Sequence, residues 1–265
     1  MKHYALLGER LGHSLSVPIH EAIFERLGID ADYRLIELLR ETFAEDARRL
    51  IHELDGLNVT IPYTQEIMPL LDEIVPQAEA IHAVNTVVTG ASTIGHNTDA
   101  AGFEAMLRHY GIDPAGQTCY VLGGGGTSHT ARYVLRAMGA KAVYVVSLMH
   151  SSDNVLDYDG FHASLLEAGG LIVNTTPAGM KNVADTCPIA PDRLAEAMRH
   201  ATGVVDAIYN PPETVLTLAA KGAGLPACTG MYMLIRQAVE AEALWQGHPM
   251  PDGLTDDLMK ELTLL

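Results

Sequence analysis

Residues 118–140 read "TCYVLGGGGTSHTARYVLRAMGA". A short apolar run leads into four consecutive glycines, and an amphipathic stretch follows them. This is the order of a strand, a glycine loop and a helix, in which the first backbone amides of the helix can receive a phosphate group. The segment therefore predicts the start of a dinucleotide-binding domain, and the alternative is a tight turn without a ligand.

The glycine loop would let the backbone approach a pyrophosphate, because glycine has no side chain in the way. Its four glycines are Gly123, Gly124, Gly125 and Gly126. Compared with the pattern G-x-G-x-x-G, the third glycine is replaced by Ser128. Serine is small enough to keep the helix packed closely on the sheet, so the replacement does not contradict nucleotide binding.

The second strand of this domain should end in a residue that reads the ribose of the nucleotide. An acid suits a free ribose there, and an arginine suits a 2′-phosphate. The strand in "VYVVSLMHSSDN" (143–154) ends at Ser147, the nearest acid is Asp153, and no arginine occurs between Arg136 and Arg193. A phosphate site without a guanidinium would be weak, so these residues favour NAD over NADP.

The rest of the chain alternates short β-branched runs with longer amphipathic runs, which is typical of an α/β protein with mainly parallel strands. Further strands are predicted at 3–8, 32–38, 56–61, 83–88, 142–147, 170–174, 203–207 and 225–229. Other helices are predicted at 17–27 and 41–54, from Asp99 onward and over most of 231–265. A turn-rich linker at 111–117 separates two lobes, and a ligand crevice is expected between them.

The composition excludes several classes of protein. The chain has 265 residues, of which 48% are hydrophobic and 19% charged, as in soluble globular proteins. Its net charge of −16 argues against nucleic acid, whose phosphates require a cationic surface. No stretch approaches the length of about eighteen apolar residues that spans a membrane, so a cytoplasmic location is expected. The three cysteines are too far apart for a disulfide framework or a metal cluster, and no metal is expected.

Eight motifs occur in a fixed order along nearly the whole chain. They are "GHSLSVPIH" (12–20), "NVTIP" (58–62), "AVNT" (83–86), "HNTDAAG" (96–102), "GGGGTS" (123–128), "NTTPAGM" (174–180), "DAIYNPPET" (206–214) and "GMYMLIRQA" (230–238). In this order they resemble the shikimate dehydrogenase family. A single glycine loop is weak support for a family, whereas eight ordered segments are strong support.

The resemblance implies an oxidoreductase of aromatic amino acid biosynthesis that interconverts 3-dehydroshikimate and shikimate, or a close analogue such as quinate. Its partner would be a small hydroxylated cyclic carboxylic acid, and its cofactor NAD or NADP, with NADP favoured by the family. It also implies a two-lobed α/β fold, with a substrate-binding domain at 1–101 and a Rossmann-like domain at 102–230. The C-terminal helices at 231–265 would pack back on the first domain.

The first lobe carries polar side chains that suit such a ligand. Ser14 and Ser16 are spaced i, i+2, so their hydroxyls can donate together, although either also suits a helix N-cap. The resemblance implies that they hold the carboxylate. Asn58, Thr60 and Asn85 stand at strand ends, where they could hydrogen-bond ring hydroxyls. For each of these three, the alternative is a polar residue satisfied within its own turn or strand.

Three more residues match functional positions of the family. The resemblance implies that Asp99 is catalytic, that Gln237 binds substrate from the C-terminal helix, and that Tyr209 borders the substrate and the nicotinamide. Asp99 also follows Thr98 at the start of a helix, so capping is an alternative role. The two roles are compatible, because helix amides would keep the carboxylate ionised while it accepts a hydrogen bond from the substrate.

The resemblance also implies which residues contact the dinucleotide. Besides the four glycines of the loop and Ser128, they are Thr127, Ser147, Thr175, Thr176 and Gly230. All of them fall in or beside motifs of the predicted second domain.

One position departs from the family. The segment "NVTIPYTQ" (58–65) has Thr64 where the family has a lysine that transfers the proton as the hydride moves. A threonine hydroxyl carries no charge and does not titrate near neutral pH, as a lysine in a buried site can. None of the five lysines of the chain lies between residues 3 and 140, so no neighbour in sequence takes over.

Four explanations stay open. His82 or His96 replaces the lysine, since histidine titrates near neutral pH, or Asp99 and water sustain turnover at a rate about 10²–10⁴-fold lower. In the third explanation, the protein binds a shikimate-like ligand without converting it. In the fourth, its site has moved to a different hydroxy acid. The favoured hypothesis is an oxidoreductase with impaired or altered catalysis, and the competing one is a non-catalytic ligand-binding protein.

Overall fold

The structure is a computed structural model that describes residues 1–12, 14–148 and 154–262. The chain divides into two compact units. Unit 1 comprises Met1–Gly102 and Ile235–Leu265, and unit 2 comprises Phe103–Leu234. The sequence predicts that the first domain ends at residue 101, one residue before Gly102. It predicts that the second domain ends at residue 230, four residues before Leu234.

The described residues form twelve strands and ten α-helices. The strands are β1 (Lys2–Gly8), β2 (Ala31–Glu37), β3 (Gly56–Val59), β4 (Glu73–Ile74), β5 (Thr86–Val88), β6 (Ile94–His96), β7 (Thr118–Leu122), β8 (Ala142–Val146), β9 (Val155–Leu156), β10 (Gly170–Asn174), β11 (Ala201–Asp206) and β12 (Ala227–Cys228). The helices are α1 (Ser16–Leu27), α2 (Phe43–Glu53), α3 (Pro76–Ile81), α4 (Thr98–His109), α5 (Gly126–Ala137), α6 (Tyr158–Ala168), α7 (Pro191–His200), α8 (Val215–Gly222), α9 (Met231–Gln246) and α10 (Leu254–Leu262). Within these described ranges, no helix is both long and apolar enough to span a bilayer.

Unit 1 is built on a mixed sheet whose six described strands have the order β2-β1-β3-β5-β6-β4. β1 pairs in parallel with β2 and β3, whereas β5 runs antiparallel to β3 and β6. The sequence predicts mainly parallel strands, and these two antiparallel pairings are the exceptions among the ten pairings of the described strands.

The two faces of this sheet have different neighbours, because side chains alternate along a strand. On one face Leu7 packs on α2. On the other face Tyr4 packs on α1 and α9, and its ring stacks on Trp245 with centroids 4.5 Å apart. Asn58 and Thr86 are cross-strand partners on this second face. Polar side chains are therefore buried under α1 and α9.

Unit 2 contains a parallel sheet with the order β12-β11-β10-β7-β8-β9 among its described strands. Numbered within the unit, this is the Rossmann order 3-2-1-4-5-6. Every residue of β10 is buried, as expected of a central strand covered on both faces. Phe161 of α6, Met198 of α7 and Leu216 of α8 belong to the core on one side. The predicted α/β class with a Rossmann-like second domain is confirmed.

Several predicted elements have different bounds in the structure. The strand predicted at 56–61 ends at Val59, because a turn begins at Thr60, whose carbonyl accepts a hydrogen bond from Tyr63 N. Residues 64–74 form turns, a 3₁₀ segment and β4. The sequence also leaves β4, β6 and β9 unpredicted, since strands of two or three residues are too short to show an alternating pattern.

His82 ends α3 in an unusual conformation. Among the described residues it is the one non-glycine residue with a positive φ, which is 60°. α1 ends in the same left-handed conformation at Gly28, where φ is 65°. A Cβ atom in this conformation crowds the backbone, and glycine avoids the strain. His82 therefore carries backbone strain that a glycine at this position would avoid.

Exchanging the residues of these two helix ends should change stability in opposite directions. We expect His82→Gly to raise the free energy of unfolding by about 1 kcal/mol, because glycine adopts this conformation without strain. Gly28→His should lower it by a similar amount, since a Cβ on Gly28 meets no atom within 4 Å and only the backbone is strained. Urea unfolding followed by circular dichroism measures both changes. Equal stability of the two variants would contradict the assignment of strain to His82.

Candidate functional site

The predicted carboxylate site lies at the start of α1. The helix begins at Ser16, and its N-cap residue Leu15 makes no side-chain capping bond. The Ser14 hydroxyl donates to Ser16 Oγ at 3.0 Å and accepts from Ser16 N at 3.2 Å. The N-cap position is thus occupied by Leu15 and not by a serine. The two hydroxyls lie side by side, as donors to one carboxylate would have to.

Tyr33 and Asn58 connect the serines to the middle of the sheet. Tyr33 OH donates to Asn58 Oδ1 at 2.7 Å, and the Ser16 side chain also hydrogen-bonds the phenol. Burial raises the pKa of Tyr33 well above its ordinary value, so the phenol stays protonated. Asn58 Nδ2 in turn donates to Asn85 O at 3.1 Å and to Thr86 Oγ1 at 2.9 Å.

These bonds correct the role predicted for Asn58. Its side-chain amide already donates to two protein acceptors, and the residue is only 4% exposed. Asn58 therefore holds Tyr33 and β5 in place and has no donor left for a ring hydroxyl. The sequence does not single out Tyr33 or Thr86, because a tyrosine or threonine in a buried strand is ordinarily part of the core.

Two asparagines fix the start of α4. Asn97 Oδ1 accepts a hydrogen bond from Ala100 N at 3.1 Å, which is the i to i+3 bond of an N-cap. Asn85 Oδ1 accepts a bond from Thr98 N at 2.7 Å. The capping role offered as an alternative for Asp99 is therefore wrong, because Asn97 performs it.

Asp99 lies in the first turn of α4 and is half-buried. Burial raises its pKa from the ordinary 3.8 to about 6, and a hydrogen bond with the Asn85 side chain offsets this only in part. No cationic side chain of the described chain contributes to this pKa. The helix amides expected to favour the ionised form do not offset the cost of burying the charge, so the pKa lies above its ordinary value. The carboxyl gains or loses a proton near neutral pH.

Gln237 brings α9 into the same group of side chains. It is 9% exposed, and its Oε1 accepts a hydrogen bond from Thr98 Oγ1 at 3.4 Å. The Thr98 hydroxyl also lies 3.0 Å from Thr86 Oγ1. The structure thus joins Asn85 and Gln237, which are distant in sequence, around Thr98 and next to Asp99. We call Asn85, Thr98, Asp99 and Gln237 the Asp99 cluster.

The turn after β3 carries the two threonines of the predicted site. Thr60 packs against the end of β1, where a Cβ built on Gly8 would lie 2.8 Å from its Cγ2. Thr64 is half-buried, and its carbonyl accepts a hydrogen bond from Val84 N at 2.8 Å. Position 64, where the family has its lysine, therefore lies beside Val84, which directly precedes Asn85.

The two histidines offered as substitutes for that lysine differ in environment. His82 is exposed at the end of α3. His96 is half-buried in β6 and pairs across the sheet with Thr86, so their side chains share one face. Burial lowers the pKa of His96 below its ordinary 6.5, which keeps the ring neutral at neutral pH. Of the two, only His96 is on the face that carries the polar network.

In unit 2 the glycine loop leads from β7 into α5, which begins at Gly126. The N-cap residue Gly125 has no side chain to accept a bond, and Thr127 is half-buried in the first turn. A Cβ on Gly125 or Gly126 would meet no atom within 4 Å. Open space beside helix amides without a side-chain cap is what an anion site requires, so these residues fit a pyrophosphate.

A glycine is required at position 123, where the loop passes the end of β10. Its φ is 103°, and a Cβ there would lie 3.0 Å from both Thr175 Oγ1 and Thr176 Cγ2. Thr175 donates its hydroxyl to Leu122 O, and Thr176 donates its hydroxyl to Asn174 Oδ1, each at 2.7 Å. The two threonines therefore fix the neighbouring loop, and their hydroxyl hydrogens are not available to a cofactor.

The two serines predicted to contact the cofactor also differ. Ser128 is fully buried and its N donates to Gly125 O at 3.0 Å, and its contact with a dinucleotide stays a prediction. It packs α5 on the sheet, as the third glycine of the motif would. Ser147 follows β8, with its Oγ 4.0 Å from a Cβ built on Gly124. Asp153, the nearest acid in sequence, lies outside the described residues.

The loop after β11 carries Tyr209, which is half-buried and whose pKa burial raises. Gly230 N donates to Ile208 O at 2.8 Å, and a Cβ on Gly230 would lie 2.1 Å from Ala207 O. Gly230 thus serves the close approach of two backbone segments, and its contact with a cofactor stays a prediction. The contact of Tyr209 with a ligand stays a prediction.

Asp206 was not among the predicted site residues, although it begins the motif at 206–214. It is fully buried and accepts hydrogen bonds from Asn174 Nδ2 at 3.0 Å, Ile208 N at 3.1 Å and Thr214 Oγ1 at 2.8 Å. Burial raises its pKa to about 6. The carboxylate ties the loop after β10 to the loop that carries Tyr209.

Comparisons with known proteins agree with both units. A family model described as the shikimate dehydrogenase substrate binding domain matches residues 6–87. A shikimate dehydrogenase (NADP(+)) from Clostridium beijerinckii is 34% identical over 97% of this chain and 97% of its own. A relative of the same name from Haloarcula marismortui is 37% identical over 98% of this chain and 99% of its own.

Solved structures of shikimate dehydrogenases also match this chain over nearly its full length. A chorismate mutase/shikimate 5-dehydrogenase fusion protein from Clostridium acetobutylicum matches with a TM-score of 0.91 and 34% identity, covering 99% of this chain and 97% of that chain. Shikimate 5-dehydrogenase from Thermus thermophilus, in complex with NADP(H) and shikimate, matches with a TM-score of 0.85 and 30% identity, covering 97% and 98%. Sequence and fold agree from one end of the chain to the other, and the chain belongs to the shikimate dehydrogenase family.

Proposed function

We propose that this protein is an oxidoreductase that interconverts 3-dehydroshikimate and shikimate, or a close analogue, with a nicotinamide dinucleotide. The observation that carries the proposal is the Asp99 cluster of unit 1. It combines hydrogen-bonding groups with one carboxyl that titrates near neutral pH. Such a set suits a ring with several hydroxyls, one of which alternates with a ketone.

The relatives support this substrate and cofactor class. Two that align over nearly the full chain are named shikimate dehydrogenase (NADP(+)), and a structure at 30% identity holds shikimate and NADP(H). The strand end at Ser147 favours NAD, whereas the names of the relatives favour NADP. Both nucleotides therefore belong in any test of activity.

Substrate binding begins with the paired serines. Ser14 and Ser16 place two neutral hydroxyl groups side by side, which suits a carboxylate site in a chain with a net charge of −16. On binding, the hydroxyl hydrogen that Ser14 now donates to Ser16 Oγ would turn to the carboxylate. Asn58 acts indirectly, by holding Tyr33 and β5. Asn85 orients Asp99 through its side-chain bond to the carboxyl, and Gln237 contributes from α9.

Asp99 would carry the proton itself. When the alcohol is oxidised, the ionised carboxylate accepts the hydroxyl proton, and when the ketone is reduced, the protonated carboxyl returns it to the carbonyl oxygen. The bound dinucleotide accepts or supplies the hydride. A lysine at position 64 would keep the pKa of Asp99 low through its charge, whereas Thr64 leaves burial to raise that pKa. One carboxyl can then serve as both acid and base.

A second candidate function is non-catalytic binding of a shikimate-like ligand. Thr64 favours it, because the hydroxyl of threonine cannot replace a charged proton donor. The serine pair and the Asp99 cluster would remain useful for recognition in that case. The two candidates differ in turnover and not in ligand class, so one assay separates them.

Replacing Thr64 by lysine tests the role of the missing charge. The assay combines protein, NAD or NADP, and shikimate or quinate, and follows formation of the reduced nicotinamide by absorbance. We expect Thr64→Lys to raise the initial rate by about 10²–10⁴-fold, the usual contribution of a positioned acid or base. The pH midpoint of the rate should fall as well, because an ammonium group stabilises the ionised form of Asp99.

Gln65→Lys is the matched control, since it places the same charge one residue away on an exposed side chain. Its rate should equal that of the wild type. A flat rate in Thr64→Lys with calorimetric binding of shikimate intact would mean that the missing lysine is not the obstacle. Calorimetric binding without any turnover, in wild type and variant, would favour the non-catalytic candidate.

The raised pKa of Asp99 also predicts how stability depends on pH. A carboxyl with a folded-state pKa of about 6 keeps its proton in the folded protein where the unfolded chain has released it. The stability that it contributes is complete below about pH 4 and is lost as the pH rises through about 6. Compared with Asp99→Asn, the wild type should lose about 1–3 kcal/mol of unfolding free energy between about pH 4 and pH 7.

Chemical denaturation of both proteins at each pH gives this difference. Asp206 has a similarly raised pKa but is present in both proteins, so its contribution cancels. A stability difference that does not change over this range would show that Asp99 is ionised throughout.

A further inference from the structure

A second pair of titratable groups is buried in unit 1. His20 of α1 and Glu242 of α9 are fully buried, and His20 Nδ1 lies 2.7 Å from Glu242 Oε1. Glu242 Oε2 accepts a hydrogen bond from Gln246 Nε2 at 3.1 Å. Burying such a pair costs solvation energy that its attraction often fails to recover, so stability alone is a weak reason for it. The chemistry proposed above does not use either group.

The His20 ring lies directly against a residue of the polar network. It stacks on Tyr33 with ring centroids 3.9 Å apart and an angle of 7° between the planes. The ring of Trp245 lies 5.5 Å away at an angle of 34°. Tyr33 cannot rotate without displacing the histidine, and the histidine is held at Nδ1 by Glu242.

Tyr33 is the point at which this stack meets the proposed ligand site. Its hydroxyl donates to Asn58 Oδ1 at 2.7 Å and hydrogen-bonds the side chain of Ser16. Ser16 is four residues before His20, so both lie on one face of α1. A change in the ring orientation of His20 would therefore reach one of the two serines and the asparagine that holds β5.

The same pair also places α9. Glu242 is five residues after Gln237, whose side chain accepts a hydrogen bond from Thr98. The two polar contacts fix the helix at separate points, one on α1 and one on the start of α4. Losing the contact with His20 would remove one of these two fixed points from the helix that carries Gln237.

We propose that His20 and Glu242 form a positioning pair that sets Tyr33, and through it Ser16 and Asn58, for binding of the carboxylated ring. This inference rests on the proposed function, because it concerns the same ligand. Glu242 fixes the histidine ring, the ring fixes the plane of Tyr33, and the phenol holds two elements of the site in register. Neither residue of the pair touches the ligand.

Calorimetric titration of the full-length variants with shikimate tests the proposal. We expect Glu242→Leu to raise the dissociation constant by about 10–100-fold, the usual effect of displacing binding groups by a fraction of an ångström to an ångström. Glu242→Gln should stay within about threefold of the wild type, because its side-chain oxygen still accepts a bond from His20. The kcat should change less than the KM if turnover is measurable.

A matched control comes from unit 2, where His162 Nε2 lies 3.2 Å from Glu196 Oε2. Glu196→Leu removes the carboxylate of a histidine–glutamate pair that is not connected to Tyr33, and shikimate affinity should not change. Equal affinity of Glu242→Leu and wild type would overturn the proposal. Failure of the wild type to bind shikimate would overturn the proposed function, and this inference with it.

Glu242→Leu leaves a buried histidine nitrogen without its partner, so it can fail to fold. The double variant His20→Leu/Glu242→Leu removes both polar groups and should keep a cooperative thermal transition. We expect it to show the same loss of affinity, because leucine does not stack on Tyr33. A folded double variant that binds shikimate as the wild type does would overturn the proposal.

Tyr33→Phe distinguishes positioning from a general loss of packing. If Glu242 acts through Tyr33, the two changes should not add up. The double variant Tyr33→Phe/Glu242→Leu should then have a dissociation constant within about threefold of that of the weaker-binding single variant. If the factors by which the two single changes raise the dissociation constant multiply in the double variant, Glu242 influences binding by another route. That result would overturn the role assigned to Tyr33.

Discussion

The buried hydrogen bonds between Asn58, Thr86, Asn85 and Thr98 are the constraint on which the rest of unit 1 depends. All four side chains are 6% exposed or less, so each polar group must find its partner inside the protein. The partners belong to three elements, β3, β5 and the start of α4, with Asn85 just before β5. These bonds hold the three elements together, and with them the first turn of α4 that carries Asp99.

This constraint also explains the chemical state of Asp99. The network offers it one donor, from Asn85, and no charge of opposite sign among the described residues. Burial without a cation raises the pKa of a carboxyl. Thr64 contributes no charge to this pKa, so the carboxyl keeps the raised value that burial gives it.

Unit 2 uses a buried carboxylate for a different purpose. Asp206 accepts three hydrogen bonds from residues on two loops and so fixes the carboxyl ends of β10 and β11. The glycine loop stands at the same end of the sheet, after β7. In both units, the residues that a ligand would meet are held by buried polar groups behind them. Most of those groups lie within the ordered motifs of the sequence, but their hydrogen-bond partners lie in other segments.

The sequence by itself determined the α/β class, the glycine loop with its helix, the family and the departure at Thr64, because periodicity and ordered motifs are local properties of the chain. Only the tertiary structure decided that Asn58, Thr175 and Thr176 have no free donor, that Ser128 is buried, and that Asn97 caps α4 in place of Asp99. It alone showed that burial raises the pKa of Asp99, and that His20 of α1 meets Glu242 of α9. Hydrogen-bond partners and burial depend on elements that are far apart in sequence, so no pattern within one segment can reveal them.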